Sequence, residues 1–385
     1  MSDERDWAKG NVFQSSHKRI NMIPIMEPWL DQQEMDRVMD CLKSGWISSQ
    51  GKNIAEFEEA FSGFCRSRFG VATSNGTTAL HLALLTLGIG PGDEVIVPAL
   101  SFIATANVVV YTGARPVFVD VDEKTWTINP SLVKPVITER TKAIIPVHLY
   151  GHPADMDPIM KLAEEYRLWV IEDAAEAHGA EYKGHKVGTL GHIGCFSFYG
   201  NKIISTGEGG MITTDNSDWV EKARMLRDHG MSKERKYWHP VVGYNFRMTN
   251  IQAAIGLGQM TKLERLIEIK RGIADRYTQS LKKNAGLVLP AEEQWAKSVS
   301  WLYSILLKPE TQKNRDDLID FLAQAQVESR PVFYPIPDMP PYQGYGTYPV
   351  ASRISKSGIS LPSGFNLTCP EQDHVIQLIQ RYLDR

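Results

Sequence analysis

The sequence predicts an α/β protein built on a large, mostly parallel sheet with helices on both faces, followed by a smaller C-terminal α/β domain. From Phe69 to Asp215, short continuous apolar runs alternate with helical patterns, which is how strands buried on both faces read. After Asn250 the texture changes to a long charged helical run, then to mixed strands and helices. The length of 385 residues also exceeds what one hydrophobic core usually supports. The expected division is a tail over residues 1–22, a large domain over 23–250, and a linking helix with a small domain over 251–385.

Each element follows from its local pattern. "DQQEMDRVMDCLKS" from Asp31 has an acidic first turn and helical spacing, and ends at Gly45. Ile54 to Cys65 gives a second amphipathic helix. "FGVATS" reads as a strand, "ALHLALLTLGI" as a mostly apolar helix, and "DEVIVPAL", "ARPVFVDVD" and "KAIIPVHLYG" as further strands. "PIMKLAEEYR" is a helix before the strand "LWVIED". "GHIGCFSFYG" and "GGMITTD" are two more strands. "IQAAIGLGQMTKLERLIEIKRGIADRYTQSL" reads as one long helix linking two lobes. Beyond it come the strand "WLYSILL", the helix "RDDLIDFLAQA" and the proline-rich "RPVFYPIPDMPPY".

Composition narrows the function classes. The formal net charge of −3 offers no basic footprint for nucleic acid. The 4 cysteines are scattered, with neither metal-ligand spacing nor a disulfide framework. The polar N-terminus reads as no secretory signal, and no apolar run approaches the ~20 residues that span a bilayer. A cytoplasmic protein with no membrane partner is expected.

Three features fall at strand ends, where ligands sit in such sheets. "SNGTTAL" places Gly76 and Thr77 at a helix N-terminus, an anion site suited to phosphate, although a helix cap without a ligand is the plain alternative. It lacks the Gly-Lys-Thr of a Walker A loop. Asp173 ends a buried strand and needs a cationic partner, which a protonated pyridine nitrogen or an ordinary ion pair could supply. Lys202 lies between a Gly-Asn turn and a glycine-rich loop, in "SFYGNKIISTGEGG". A lysine there is either a surface residue or an amine placed to form a Schiff base with an aldehyde. Together, in this chain order, the three describe pyridoxal 5'-phosphate (PLP).

The motifs "SGWISSQGKNIAEFE", "SNGTTALHLAL", "GDEVIVPALSFIATAN", "IEDAAEAHGA", "SFYGNKIISTGEGGM" and "GYNFRMTNIQAAIGL" resemble the DegT/DnrJ/EryC1/StrS family. These are PLP-dependent nucleotide-sugar aminotransferases of fold type I (aspartate aminotransferase-like). The resemblance runs from about Ile23 to the C-terminus. It implies that Lys202 is the lysine joined to PLP, that Asp173 faces the pyridinium nitrogen, and that Gly76, Thr77 and Ser197 hold the phosphate. It further implies that Phe102 lies against the ring and that Glu176, where many relatives have Gln, is near the phenolic oxygen. Asn245 would reach the phosphate of a neighbouring subunit's cofactor. The assembly implied is a homodimer with shared active sites, or a tetramer of such dimers. Relatives that dehydrate at C3 replace the lysine by histidine; Lys202 therefore favours transamination.

The reaction implied is 4-amination of a nucleotide-linked 4-keto-6-deoxyhexose with L-glutamate as donor. "YWHPVVGYNFRMTN" and "ESRPVFYP" point within the family to a GDP-linked substrate, with UDP- or dTDP-linked 4-keto-6-deoxyglucose as the alternative. Arg247 is a candidate for the nucleotide diphosphate or for an intersubunit salt bridge, and Arg330 and Tyr334 for nucleotide or sugar recognition. Glu208 either orders the loop after Lys202 or caps backbone amides. His148 and His178 read as satisfied structural histidines, and His185 and His192 as surface residues flanking a hairpin. A PLP-binding regulator would need a fused DNA-binding domain, for which the tail is too short. A dinucleotide-binding dehydrogenase would need G-x-G-x-x-G after the first strand.

Overall fold

The computed structural model describes residues 22–385, so the expected tail lies outside the described residues except for Met22. Helix α1 (Gln32–Ser44) begins at a capping box: the Asp31 carboxylate accepts from the Gln33 amide at 2.9 Å, and Glu34 accepts from the Asp31 amide at 2.7 Å. Gly45, at φ 75°, closes it in the left-handed region that glycine enters without a Cβ clash. Helix α2 (Lys52–Cys65) follows.

The main body continues through β1 (Phe69–Thr73), α3 (Gly76–Thr86), β2 (Glu94–Pro98), α4 (Ala104–Tyr111), β3 (Arg115–Val119), β4 (Thr141–Ile144), α5 (Met156–Tyr166) and β5 (Trp169–Asp173). A short hairpin of β6 (Glu181–Tyr182) and β7 (His185–Lys186) precedes β8 (Ile193–Ser197), β9 (Gly210–Thr214) and α6 (Ser217–Arg227). The sheet order is β1-β9-β8-β5-β4-β2-β3. Strands β2, β8 and β9 are buried along their whole length, which is why they read as unbroken apolar runs.

The sheet is mixed rather than all parallel. Strand β9 runs antiparallel to both β8 and β1, because the β8–β9 connection contains no crossover helix. The other pairs are parallel, and β1, antiparallel to β9, runs the same way as β8. The C-terminal ends of β1, β2, β4, β5 and β8 therefore share one edge. Gly210 shows how closely that edge is built: a Cβ there would lie 2.3 Å from the Asn75 carbonyl oxygen.

The run read as one linking helix is two, α7 (Asn250–Met260) and α8 (Leu263–Leu281). The Thr261 hydroxyl donates to the Gly258 carbonyl at 2.7 Å. Lys262 leaves the helical path to pair with Asp31 at 2.7 Å and Glu34 at 2.8 Å. Two long-range ion pairs thus override the local helical pattern. The chain continues with β10 (Leu287–Val288), β11 (Ala296–Lys297), β12 (Tyr303–Leu307), α9 (Arg315–Gln324), β13 (Arg330–Pro331), α10 (Pro349–Ser357), β14 (Gly358–Leu361) and α11 (Cys369–Leu383). An antiparallel sheet of order β10-β12-β14-β13 covers a core that includes Tyr277, Leu281, Ile305, Leu322 and Ile379. Strand β11 instead joins the β6–β7 hairpin. Past β13 the chain returns to the main sheet edge, where the Ile336 amide donates to the Ala99 carbonyl at 2.8 Å.

One carboxylate joins α2, β1 and α6. Buried Glu58 accepts from the Ala72 amide at 2.9 Å and from Arg224 and Arg227, each at 2.8 Å. Glu58→Gln leaves both guanidiniums without their counter-charge. It should cost about 3 kcal/mol, the lower end of the range for breaking a buried pair because Arg224 is partly exposed. In urea titrations the midpoint should fall with the slope unchanged; an unmoved midpoint would show that the carboxylate does not hold these elements.

Candidate active site

Three strand ends bring polar groups together at the shared sheet edge. At the first, the Thr78 amide donates to the Asn75 side chain at 2.9 Å, and the Asn75 amide donates back to the Thr78 hydroxyl at 3.1 Å. This box satisfies the third amide of α3. The Gly76 and Thr77 amides remain as the unpaired donors of the first turn, at the positive end of the helix dipole. Ser197, at the end of β8, packs directly on Gly76: a Cβ added to that glycine would lie 2.6 Å from Ser197 Cβ and 3.1 Å from its Oγ. Two amides and a hydroxyl thus form a cradle of the size and polarity of a phosphate.

The second strand end carries Asp173. Its Oδ2 accepts from the Thr105 hydroxyl at 2.8 Å and its Oδ1 from the Ala175 amide at 3.2 Å. Burial nevertheless pushes its pKa up, against these bonds and the nearby Lys202 charge. A further cation within reach would favour the ionised form.

Lys202 occupies the loop between β8 and β9. Its Nζ lies 3.6 Å from Glu176 Oε1, a charge contact rather than a hydrogen bond, and 3.8 Å from the centre of the Trp301 ring. Burial pushes the Lys202 pKa down, while Glu176 and Asp173 pull it back. Glu176 Oε2 accepts from the Tyr150 amide at 2.8 Å, and burial raises the pKa of this carboxyl. An anion cradle, a buried carboxylate short of positive charge and a buried amine fit the phosphate, ring nitrogen and aldehyde of PLP.

An aromatic wall flanks these groups. The Trp301 and Tyr150 rings stack at 6.0 Å, Tyr150 and Phe333 at 5.3 Å, and Phe333 meets Phe102 at 5.9 Å. Main-chain bonds hold the stack: the Trp301 amide donates to the Tyr150 carbonyl at 2.9 Å, and the Phe333 amide to the Tyr150 hydroxyl at 3.2 Å. Tyr150 has φ 52°, a conformation costly for a bulky residue, and in it the amide meets Glu176. Phe102 is 56% exposed, which leaves ring surface open to a ligand.

Sequence reasoning missed Thr105, Tyr150, Trp301 and Phe333. Within "RPVFYP" it is Phe333, not singled out from the sequence, that joins the aromatic wall. Phe333 faces inward, Tyr334 is exposed, and Arg330 pairs with Glu328 at 2.9 Å on the outside.

The other candidates have identifiable partners. Arg247 pairs with Asp228 of its own chain and donates to the Ser49 hydroxyl at 3.0 Å. Asn245 is exposed. The Thr206 hydroxyl and the Gln252 side chain each donate to the Glu208 carbonyl at 2.7 Å, so the bonds at this residue run to its main chain and not from amides to its carboxylate. His148 is structural: the Ala154 amide donates to its Nδ1 at 3.0 Å, so Nε2 carries the proton given to Glu172 at 2.9 Å. His178 is buried among Phe61, Phe196 and Phe198, and neither ring nitrogen has a well-formed hydrogen bond. It is structural without being satisfied. His185 is exposed, as expected. His192 is not a plain surface residue, because its Nδ1 accepts from the Val170 amide at 2.9 Å and its ring meets Trp169 edge-on.

Comparison with known proteins gives matches along nearly the whole chain. The sequence model of the DegT/DnrJ/EryC1/StrS aminotransferase family matches residues 28–380. GDP-perosamine synthase of Caulobacter vibrioides is 47% identical over 364 residues, covering 94% of this chain and 98% of that protein. The enzyme of the same name from Escherichia coli O157:H7 is 45% identical, covering 94% of this chain and 99% of its own. Among solved structures, the PLP form of a putative sugar aminotransferase from Streptococcus pneumoniae superposes with a TM-score of 0.89 at 30% identity, covering 94% of this chain and 99% of that one.

Burial pushes the His178 pKa down to about 3, with the Lys202 charge adding to the effect. Between that value and the ordinary 6.5, the unfolded chain binds a proton that the native state refuses. Stability therefore falls as pH drops through this window, by up to about 1.4 kcal/mol per pH unit. His178→Phe should flatten the pH 4–6 limb of a stability–pH curve by about that slope. An unchanged limb would show that His178 protonates freely in the fold.

Proposed function

The chain belongs to the DegT/DnrJ/EryC1/StrS aminotransferase family and is a PLP-dependent sugar aminotransferase, and from that premise we propose that it aminates C4 of a nucleotide-linked 4-keto-6-deoxyhexose. In this reading L-glutamate is the donor, GDP-4-keto-6-deoxymannose the acceptor and GDP-perosamine the product. The observation that carries the chemistry is the convergence of Lys202, Asp173 and the α3 amides at one sheet edge. The choice of sugar rests on relatives of 45–47% identity named GDP-perosamine synthase.

PLP supplies an aldehyde that takes up and hands on an amino group, and a ring that accepts the electron pair left when a C–H proton is removed. The chain would supply the rest. The Gly76 and Thr77 amides and the Ser197 hydroxyl bind the phosphate. Asp173, oriented by Thr105 and the Ala175 amide, holds the proton on the ring nitrogen. Phe102 would offer a face to the ring, and Glu176 would neighbour the phenolic oxygen. Lys202 Nζ would hold the aldehyde carbon and, as the free amine, would move the proton from the donor α-carbon to that carbon, and in the reverse sense when the keto sugar takes up the amino group. Burial lowers the Lys202 pKa, which enlarges the neutral fraction available for that work. The wall of Trp301, Tyr150 and Phe333 keeps water from the amine.

The site is read as shared between two copies. Asn245 is exposed, which leaves its side chain open to a second copy. Met35, Met39, Leu42, Trp46 and Ile47 leave an apolar face exposed along α1 and the turn after it, fit for a second copy.

Lys202→Ala should retain PLP and lose at least ~10³-fold in turnover, the scale of a lost catalytic base or nucleophile; near-normal turnover would remove Lys202 from the mechanism. Mixing inactive Lys202→Ala and Asn245→Ala proteins after subunit exchange should restore about a quarter of the native activity, because half the dimers are mixed and each holds one intact site. No recovery would place each site within one chain. Incubation with glutamate and the GDP-, UDP- and dTDP-linked keto sugars should give amino-sugar product fastest from the GDP form. Preference for another nucleotide would overturn the substrate assignment and leave the chemistry standing.

A further inference from the structure

Helix α8 buries a stripe of Leu263, Leu266, Ile273, Tyr277 and Leu281 at helical spacing, and Lys270 occupies one position in that stripe. It is 1% exposed. A buried ammonium ordinarily needs a carboxylate, yet the polar partners of Lys270 are neutral. Its Nζ donates to the Trp301 carbonyl at 2.7 Å, to the Ser363 carbonyl at 2.5 Å and to the Met26 sulfur at 3.2 Å, with the Phe365 ring 5.1 Å away. These are three donors directed at three chain segments that are far apart in sequence.

We propose that Lys270 is a positioning residue for the transamination, which by tying down the Trp301 main chain holds the Trp301 ring under the Lys202 amine. The inference rests on the reading of Lys202 as the reacting amine. Trp301 is fixed at three points: its carbonyl by Lys270, its amide by Tyr150, and its ring Nε1, which donates to the Asn201 carbonyl at 2.6 Å. Asn201 immediately precedes Lys202, so the indole and the amine are held in one frame. The ring face, 3.8 Å from Nζ, favours the ammonium form of Lys202. Burial and the facing carboxylates Glu176 and Asp173 set the rest of its proton affinity, and Lys270 is not among the groups that act on it through space. Burial brings the Lys270 pKa down to about 7, with no facing carboxylate to pull it back.

The routes by which Lys270 could influence Lys202 differ in sign. Removing a nearby positive charge would raise the pKa of Lys202, as would admitting water to the amine, whereas withdrawing the Trp301 ring face from an amine that stays buried lowers it. The test measures, in cofactor-free protein, the rate at which added PLP forms its absorbing linkage, across a pH series. This rate follows the neutral fraction of Lys202. Lys270→Met should move the midpoint down by about half to one pH unit, as should Trp301→Leu, and the double variant should move it no further than either alone. Tyr277→Phe, which removes the 3.0 Å bond from the Tyr277 hydroxyl to the Pro362 carbonyl in the neighbouring core, should leave the midpoint in place. If Lys270→Met does not fold, Lys270→Leu, which likewise removes every donor to the Trp301 carbonyl, takes its place. An upward shift, or no shift in either the Lys270 or the Trp301 variant, overturns the proposal. A linkage that still forms in Lys202→Ala protein refutes the underlying reading of Lys202 instead.

Discussion

The site depends on one electrostatic constraint: a lysine amine shares a water-poor space with two carboxylates. Lys202, Glu176 and Asp173 are each fully or nearly buried, and burial shifts all three toward their neutral forms. Their mutual attraction, the Trp301 ring face over the amine and a few directed hydrogen bonds resist that shift. A ligand bringing its own ring cation to Asp173 and its own carbonyl to Lys202 would relieve both groups. The tension in the protein alone is therefore complementary to the cofactor that the family uses.

The scaffold makes this possible by spending few residues on it. Parallel strands deliver the ends of β1, β2, β5 and β8 to one edge, and β9 turns back so that the loop carrying Lys202 stays over it. Rigid main-chain bonds then fix each group: Thr105 and Ala175 at Asp173, Tyr150 at Glu176, and the capped first turn of α3 at the phosphate cradle. The C-terminal part contributes Trp301 and Phe333, whose rings close the wall beside the amine.

What was legible in the sequence was whatever local pattern encodes. Continuous apolar runs located β2, β8 and β9; Asp173 stood out as the carboxylate closing the apolar run of β5, and Lys202 as a cation between a Gly-Asn turn and a glycine-rich loop. The break between α7 and α8 was hidden, because Lys262 leaves the helix for Asp31 and Glu34, more than two hundred residues earlier. The Asp228 partner of Arg247 was equally invisible, since a salt bridge between loops leaves no period. Tyr150 and Trp301 gave no warning because buried aromatics usually mean core. Lys270 did leave a signal, a lone cation within an apolar helical stripe, which reads as an error until its three acceptors are known.

The most direct test of the central claim is chemical. The protein, loaded with PLP, is reduced with borohydride, digested, and its peptides are mapped by mass. The account predicts a pyridoxyl group on Lys202 and on no other lysine, including the buried Lys270. Reduction that leaves Lys202 unmodified, or marks a different lysine, would contradict it.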